Sequence, residues 1–184
     1  MVSRRFTRPL PGEIRGKAAL DRMLRVNQAG EYGAQRIYEG QLAVLGKGPK
    51  AEVLHHMAEQ EREHLATFNR LVVERKVRPT VLSPLWHFAG FALGAGTALM
   101  GERAAMACTV AVEEVIDAHY RDQAEALGDD EPELVEIIER FRAEELEHRD
   151  IGLDHEAERA PAYRLLTAAI KAGARGAIWA SERV

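Results

Sequence analysis

Apolar side chains recur along this chain at helical spacing, and prolines and glycines cut the pattern into segments. Leu20, Leu24, Ile37, Leu42 and Val44 mark a first helix over roughly 18–45, which stops at Gly46-Lys47-Gly48. Pro49 suits the first turn of a second helix, roughly 49–76, because its missing N–H would have no helical partner there. Residues 77–82, broken by Pro79, read as a connection, and Ser83-Pro84 as the N-cap and first residue of a third helical region. That region runs to about Leu127, ahead of Gly128-Asp129-Asp130. Pro132 opens a fourth helix to about Arg159, and Pro161 opens a fifth, from Ala162 to about Ser181. No alternating β-branched run and no Asn-Gly or Asp-Gly turn signals a strand, so the pattern predicts an all-α bundle.

One stretch departs from amphipathic patterning. Residues 81–101 carry no charge and include Leu85, Trp86, Phe88, Phe91, Leu93, Leu99 and Met100. The length approaches the roughly twenty residues that span a bilayer. Ser83, Pro84, His87, Thr97 and four glycines dilute it, however, and a span would separate helices that must converge on the site described next. The segment is therefore expected to lie in the membrane surface or line a lipid-facing groove. Burial in the protein's own core or in an oligomer interface is the alternative, and Gly90-x-x-x-Gly94 suits either close helix packing or self-association.

The chemistry sits in two copies of Glu-x-x-His, Glu61-Arg62-Glu63-His64 and Glu145-Leu146-Glu147-His148. Residues three apart share a helix face, so each copy can aim a carboxylate oxygen and an imidazole nitrogen at one metal. Each copy follows a lone candidate Glu by about thirty positions, Glu31 before the first and Glu113 before the second. Glu31, Glu61, His64, Glu113, Glu145 and His148 supply four carboxylates and two imidazoles, the ligand set of ferritin-like di-iron bundles. Four carboxylates largely balance two divalent irons and can bridge them, leaving positions open for oxygen. Zinc fits less well, since structural zinc prefers four ligands rich in sulfur or nitrogen. The first two helices, and the second half of the third region plus the fourth helix, form a weak internal repeat that matches the two halves of the site.

Length and charge add bounds. The chain of 184 residues suits one domain, 18–184, after an N-terminal extension, 1–17. A net charge of -4 provides no basic footprint for nucleic acid. The single cysteine, Cys108, excludes an intramolecular disulfide or a rubredoxin module and fits a reducing compartment. Residues 1–11 hold Arg4, Arg5 and Arg8 with no apolar run behind them, unlike a secretory signal.

Longer blocks are more specific than the metal spacing. Asn27-Gln28-Ala29-Gly30-Glu31-Tyr32-Gly33-Ala34, Arg78-Pro79-Thr80-Val81-Leu82, Ala107-Cys108-Thr109-Val110-Ala111-Val112-Glu113-Glu114 and the run 144–155 around Glu145-Leu146-Glu147-His148 resemble the demethoxyubiquinone hydroxylase family, nearly throughout from Asp21. The resemblance implies a ferritin-like four-helix bundle with an additional membrane-associated apolar segment and a C-terminal helix. It implies a monooxygenase that hydroxylates the ring of a polyprenyl benzoquinol late in ubiquinone biosynthesis. It further implies two Fe ions on the six residues above, Glu61 and Glu145 bridging, O2 as co-substrate and NADH as outside reductant. The implied setting is a peripheral membrane protein on the cytoplasmic face of a bacterial cell membrane. A homo-oligomer or a lipid-binding delivery protein are the candidate partners besides the quinone and the membrane surface. His119 and Tyr120, two turns beyond Glu113, are expected to handle protons or electrons.

Simpler readings stand beside these. Glu59, Glu63, Glu144 and Glu147 read as a solvated face or a layer behind the ligands, His119 as either a hydrogen-bonded core histidine or a functional one, and Tyr32, Tyr38 and Cys108 as packing residues. A ferritin-type ferroxidase or iron-storage protein would use similar ligands, but the uncharged stretch argues against a soluble shell.

Overall fold

The computed structural model describes residues 16–48 and 51–184. Six helices carry this part of the chain: α1 (Lys17–Leu45), α2 (Ala51–Glu74), α3 (Ser83–Leu99), α4 (Glu102–Leu127), α5 (Pro132–Asp154) and α6 (Tyr163–Ser181). Among the described residues there is no strand. Pro49 and nearly all of the N-terminal extension lie outside them.

Four of the helices pass between two apolar clusters. One cluster gathers Leu24, Phe68, Leu71, Tyr120, Ile138 and Phe141; the other gathers Tyr38, Leu54, Met57, Met106 and Val110, with Ile151 packed against it. Along α1 the order is Leu24, Glu31, Tyr38; along α2 it is Met57, Glu61, His64, Phe68. Along α4 it is Met106, Glu113, Tyr120, and along α5 Phe141, Glu145, His148, Ile151. Each helix thus brings its acidic residues to the same level, midway between the clusters. The order also sets direction: α1 and α5 run one way, α2 and α4 the other.

That topology leaves α2 and α4 parallel, so the chain must cross the length of the bundle between them, and α3 is this crossover. It lies parallel to α1 at backbone contact. A Cβ at Gly90 would meet the Gly33 carbonyl oxygen at 2.8 Å, and one at Gly94 would clash with the Ile37 carbonyl. The Gly90-x-x-x-Gly94 pair therefore serves close packing within the chain. Tyr32 Oη and His87 Nδ1, 2.6 Å apart, add a polar tie between the two helices.

Three boundaries correct the sequence reading. The third helical region is two helices, parted at Met100-Gly101, where Gly101 takes φ +112, a conformation that favours glycine. Leu82, and not Ser83, is the N-cap of α3; Ser83 is its first residue, and its hydroxyl donates to the Thr80 carbonyl at 3.0 Å. The fourth predicted helix ends at Asp154 rather than Arg159, because Glu156 adopts a left-handed conformation and a short 3-10 turn follows.

The uncharged stretch is half-covered. Trp86, Phe91 and Leu93 are partly buried, Phe91 beneath the Arg36 guanidinium, whereas Leu85, Phe88 (71% exposed) and Leu99 (76% exposed) form an open apolar stripe. On α6, Leu165 and Trp179 are similarly open. No helix among the described residues is long and apolar enough to cross a membrane.

Candidate metal centre and adjoining cavity

The six residues singled out by spacing converge in the middle of the four-helix layer, each no more than 1% exposed. Glu31, Glu61, His64 and Glu145 can bring one ligand atom each within 4.8 Å of the others, and so can Glu61, Glu113, Glu145 and His148. Glu61 and Glu145 belong to both groups. His64 Nδ1 lies 3.2 Å from Glu145 and 3.5 Å from Glu31, and His148 Nδ1 lies 3.3 Å from Glu61 and 3.4 Å from Glu145.

Polar atoms buried without partners are costly, so their distribution is informative. Among the described residues ten such side-chain atoms occur, and eight belong to these six residues, including Nδ1 of both histidines and both oxygens of Glu61 and Glu145. Oxygen and imidazole donors converging with unused lone pairs suit a pair of divalent cations. Without cations, protons hold the cluster together. Burial lowers both histidines, but Glu145 and Glu31 override it to raise His64 to about 12, and Glu145 and Glu61 raise His148 to about 9. Burial and then the Glu145 charge push Glu61 up to about 8 and Glu113 well above the usual carboxylate range. Burial also opposes ionisation of Glu145, yet His148 and His64 hold it down at about 2.

A supporting layer repeats across the two halves. Tyr38 donates to Glu113 at 3.0 Å, and Tyr120 donates to Glu31. Each tyrosine stands seven residues after one lone Glu and binds the other. His64 Nε2 lies 2.5 Å from Glu144 and His148 Nε2 lies 2.9 Å from Gln60, the residues directly preceding Glu145 and Glu61. With the outer nitrogen donating, the inner Nδ1 of a neutral ring carries the lone pair, the orientation a ligating histidine needs.

Beside the cluster lies a cavity of about 580 Å³ between α1, α3, α4 and α6. Its wall is mainly apolar, with Ile37, Leu93, Val112, Ile116 and Ile170 prominent, and Glu31 is the candidate ligand that reaches it. The backbones of α3 and α6 do not pack against each other; the Trp86 indole N–H, donating to Ser181 Oγ at 3.0 Å, ties them at one end. Ala89, Ala169 and Gly173 line the cavity and are also exposed, so it opens in the slot between those helices. Tyr120 and His119 line it too, and His119 also borders a smaller polar cleft of about 360 Å³ with Arg22, Asp122 and Glu182.

The sequence profile of the family described as ubiquinone biosynthesis protein COQ7 matches residues 18–181. The protein named 3-demethoxyubiquinol 3-hydroxylase of Rhodospirillum rubrum is 63% identical over 176 residues, covering 95% of this chain and 83% of that protein. This chain belongs to the COQ7 family. Its similarity extends to the mitochondrial NADPH-dependent 3-demethoxyubiquinone 3-hydroxylase of Homo sapiens, 58% identical over 172 residues, or 91% of this chain and 79% of that one. It also reaches the mitochondrial 5-demethoxyubiquinone hydroxylase of Saccharomyces cerevisiae at 44% over 184 residues, again 91% and 79% of the two chains.

Within this COQ7-family chain, spacing found the converging residues but not their partners. Spacing alone reads Tyr38 as a packing residue and gives Gln60 no role. The available signal was the repeat itself: Glu-x6-Tyr occurs in both halves, as does a polar residue directly before each Glu-x-x-His.

Proposed function

We propose that this chain is an O2-dependent di-iron monooxygenase that hydroxylates the ring of demethoxyubiquinol, a polyprenyl methoxy-methyl-benzoquinol, within a ferritin-like bundle. The observation that carries the reading is the set of eight unpartnered buried ligand atoms lying against an apolar cavity that Glu31 reaches. The names of the relatives support the substrate class. The reaction inserts one atom of O2 as the ring hydroxyl; the other leaves as water with two electrons and two protons from outside. Two irons on Glu31, Glu61, His64, Glu113, Glu145 and His148 would supply oxygen binding and activation. The reductant is an external reduced nicotinamide, NADH in the sequence reading and NADPH in the name of the human relative.

The protein's own residues set the stage for this chemistry. Glu61 and Glu145, common to both groups, would be shared in holding the two irons. Glu144 and Gln60 hold the histidine rings with Nδ1 inward, while Tyr120 and Tyr38 hold Glu31 and Glu113. The cavity wall excludes water from a ring seated beside Glu31.

A polyprenyl tail favours a bilayer, and the two helices that bound the slot, α3 and α6, carry exposed Leu85 and Phe88, and Leu165 and Trp179. Residence on the cytoplasmic face of the membrane lets the ring enter while the tail stays in lipid. Charged replacements Leu85→Glu and Phe88→Glu are expected to reduce liposome binding and activity on long-tailed quinols, with iron content and short-tailed turnover retained.

The deciding experiment expresses the chain in a strain unable to perform the ring hydroxylation and follows quinone intermediates by mass spectrometry. Restored ubiquinone, with iron as the metal by elemental analysis, is the expected result. Continued accumulation of the demethoxy compound by an iron-loaded chain would sink the reading. Iron oxidation without quinol consumption would favour the ferroxidase.

A further inference from the structure

Asn27 on α1 and Gln123 on α4 exchange two side-chain hydrogen bonds, Asn27 Nδ2 to Gln123 Oε1 and Gln123 Nε2 to Asn27 Oδ1, each 2.8 Å. Both amides are buried, and such a pair is tolerated between helices only because each satisfies the other. The exchange leaves Gln123 one more N–H, and His119 Nε2 lies 2.7 Å from that nitrogen. An amide nitrogen only donates, so Nε2 must accept and the ring proton belongs on Nδ1. Burial lowers the His119 pKa against the opposing charges of Glu182 and Asp122, which favours the neutral ring this arrangement requires. No described residue accepts from Nδ1, and the ring borders both the apolar cavity and the polar cleft.

Around the cavity Glu31 keeps one unpartnered oxygen, which belongs to the candidate metal group, and, His119 apart, the remaining polar side chains are already engaged. Tyr120 is bonded to Glu31, Trp86 to Ser181, and Asn27 to Gln123. We propose that the Asn27–Gln123 pair is a positioning pair that holds His119 as its Nδ1–H tautomer, leaving that N–H to donate to a ring oxygen of the molecule in the cavity. The ring oxygen is assigned to a quinone on the strength of the function proposed above. His119 then acts as the group that reads the ring, while Gln123, bonded to it, and Asn27, bonded to Gln123, act through it.

Two readouts separate this proposal from the reading on which it rests. The first is the 15N spectrum of His119 in zinc-loaded, diamagnetic full-length protein, which reports the tautomer without any quinone. Wild-type protein should show Nδ1–H, and Gln123→Glu, which replaces the donor with an acceptor, should move the proton to Nε2. The second is quenching of Trp86 fluorescence by a short-tailed benzoquinone in a Trp179→Phe background, where Trp86 is the remaining indole. Loss of one neutral hydrogen bond should raise Kd about fivefold in Gln123→Glu. Should the buried carboxylate prevent folding, Gln123→Met, of similar length, should mix the tautomers and weaken binding in the same direction. A wild-type His119 found as Nε2–H, meaning that both amides sit turned end for end, overturns the proposal. So does a Gln123 variant whose tautomer changes while Kd does not. A wild-type chain that no benzoquinone quenches overturns the quinone assignment instead, and the tautomer still decides whether the pair positions His119.

Discussion

Glu31 lines the apolar cavity, whereas Glu113, its counterpart in the other helix pair, is covered by Tyr38, whose hydroxyl also reaches Met57 Sδ at 3.7 Å. The two halves of the centre share one sequence pattern and differ in what closes over them. His64 leans on a carboxylate, Glu144, and His148 on an amide, Gln60. A carboxylate behind the ring makes a ligating imidazole more basic than an amide does; separately, against burial, Glu145 and Glu31 raise His64 to about 12, and Glu145 and Glu61 raise His148 to about 9. One half borders the cavity, and the other is sealed beneath Tyr38. Duplication of a motif supplied two sites, and packing around them made the sites unequal.

The largest effect should come from the residues that erase the distinction. Glu61→Ala or Glu145→Ala removes an oxygen donor from both groups at once. Elemental analysis should fall from two irons per chain to near none with hydroxylation abolished; a variant retaining one iron and turnover would remove that residue from the shared position.

Proton competition should come next. Metal must displace protons held on His64, His148 and Glu61, so affinity rises with pH, by up to about tenfold per unit for each proton displaced. Loading should be stepwise, the His148 group filling at lower pH than the His64 group, and a single step in a metal titration across pH would contradict the inequality. The metal-free fold should show the opposite slope. His148 is raised above its unfolded value of 6.5, so its contribution is full below that pH and is lost as pH rises through about 9. Glu61, raised from 4.5, likewise loses its contribution as pH rises through about 8. The Tm gap between metal-loaded and metal-free protein should widen from pH 6.5 to 9.

The histidine supports predict a smaller, graded difference. Removing such a partner typically lowers metal affinity about 10- to 100-fold. Glu144→Ala should lie toward the upper end and Gln60→Ala toward the lower, as read by competition with a chelator. Equal losses would mean that the carboxylate and the amide do the same work.

Smallest are the tyrosine effects. Tyr38→Phe leaves the enclosed Glu113 without its donor and should cost about 1–2 kcal/mol of metal-free stability by chemical denaturation. Tyr120→Phe frees the carboxylate beside the cavity and should alter turnover more than stability. Reversal of that order would show that cavity contact does not distinguish the halves.

Much of this architecture was legible along the chain because a helix converts spacing into direction. Residues three and seven apart share a face, so Glu31, Glu61-x-x-His64, Glu113 and Glu145-x-x-His148 had to present their donors together once their helices met. The strictly local breaks were less legible. Gly101 stood inside an uncharged run where glycines at 90, 94 and 96 are helical, and nothing local marked it as the residue that would turn. The same run could not declare its orientation, since an apolar helix has no polar face to say which side is out.

By itself, then, the sequence determined the all-helical class, the six converging residues and their arrangement as two similar halves, all consequences of backbone periodicity acting within single helices. Tertiary structure alone decided which tyrosine holds which carboxylate, which side of α3 is buried on α1, and that a cavity reaches Glu31 and not Glu113. Those partners lie as many as 96 residues apart, as Asn27 and Gln123 do. Their pairing depends on how far each helix slides and turns against its neighbours, and that is set by glycine contacts and by the filling of two apolar clusters, quantities that no local spacing encodes.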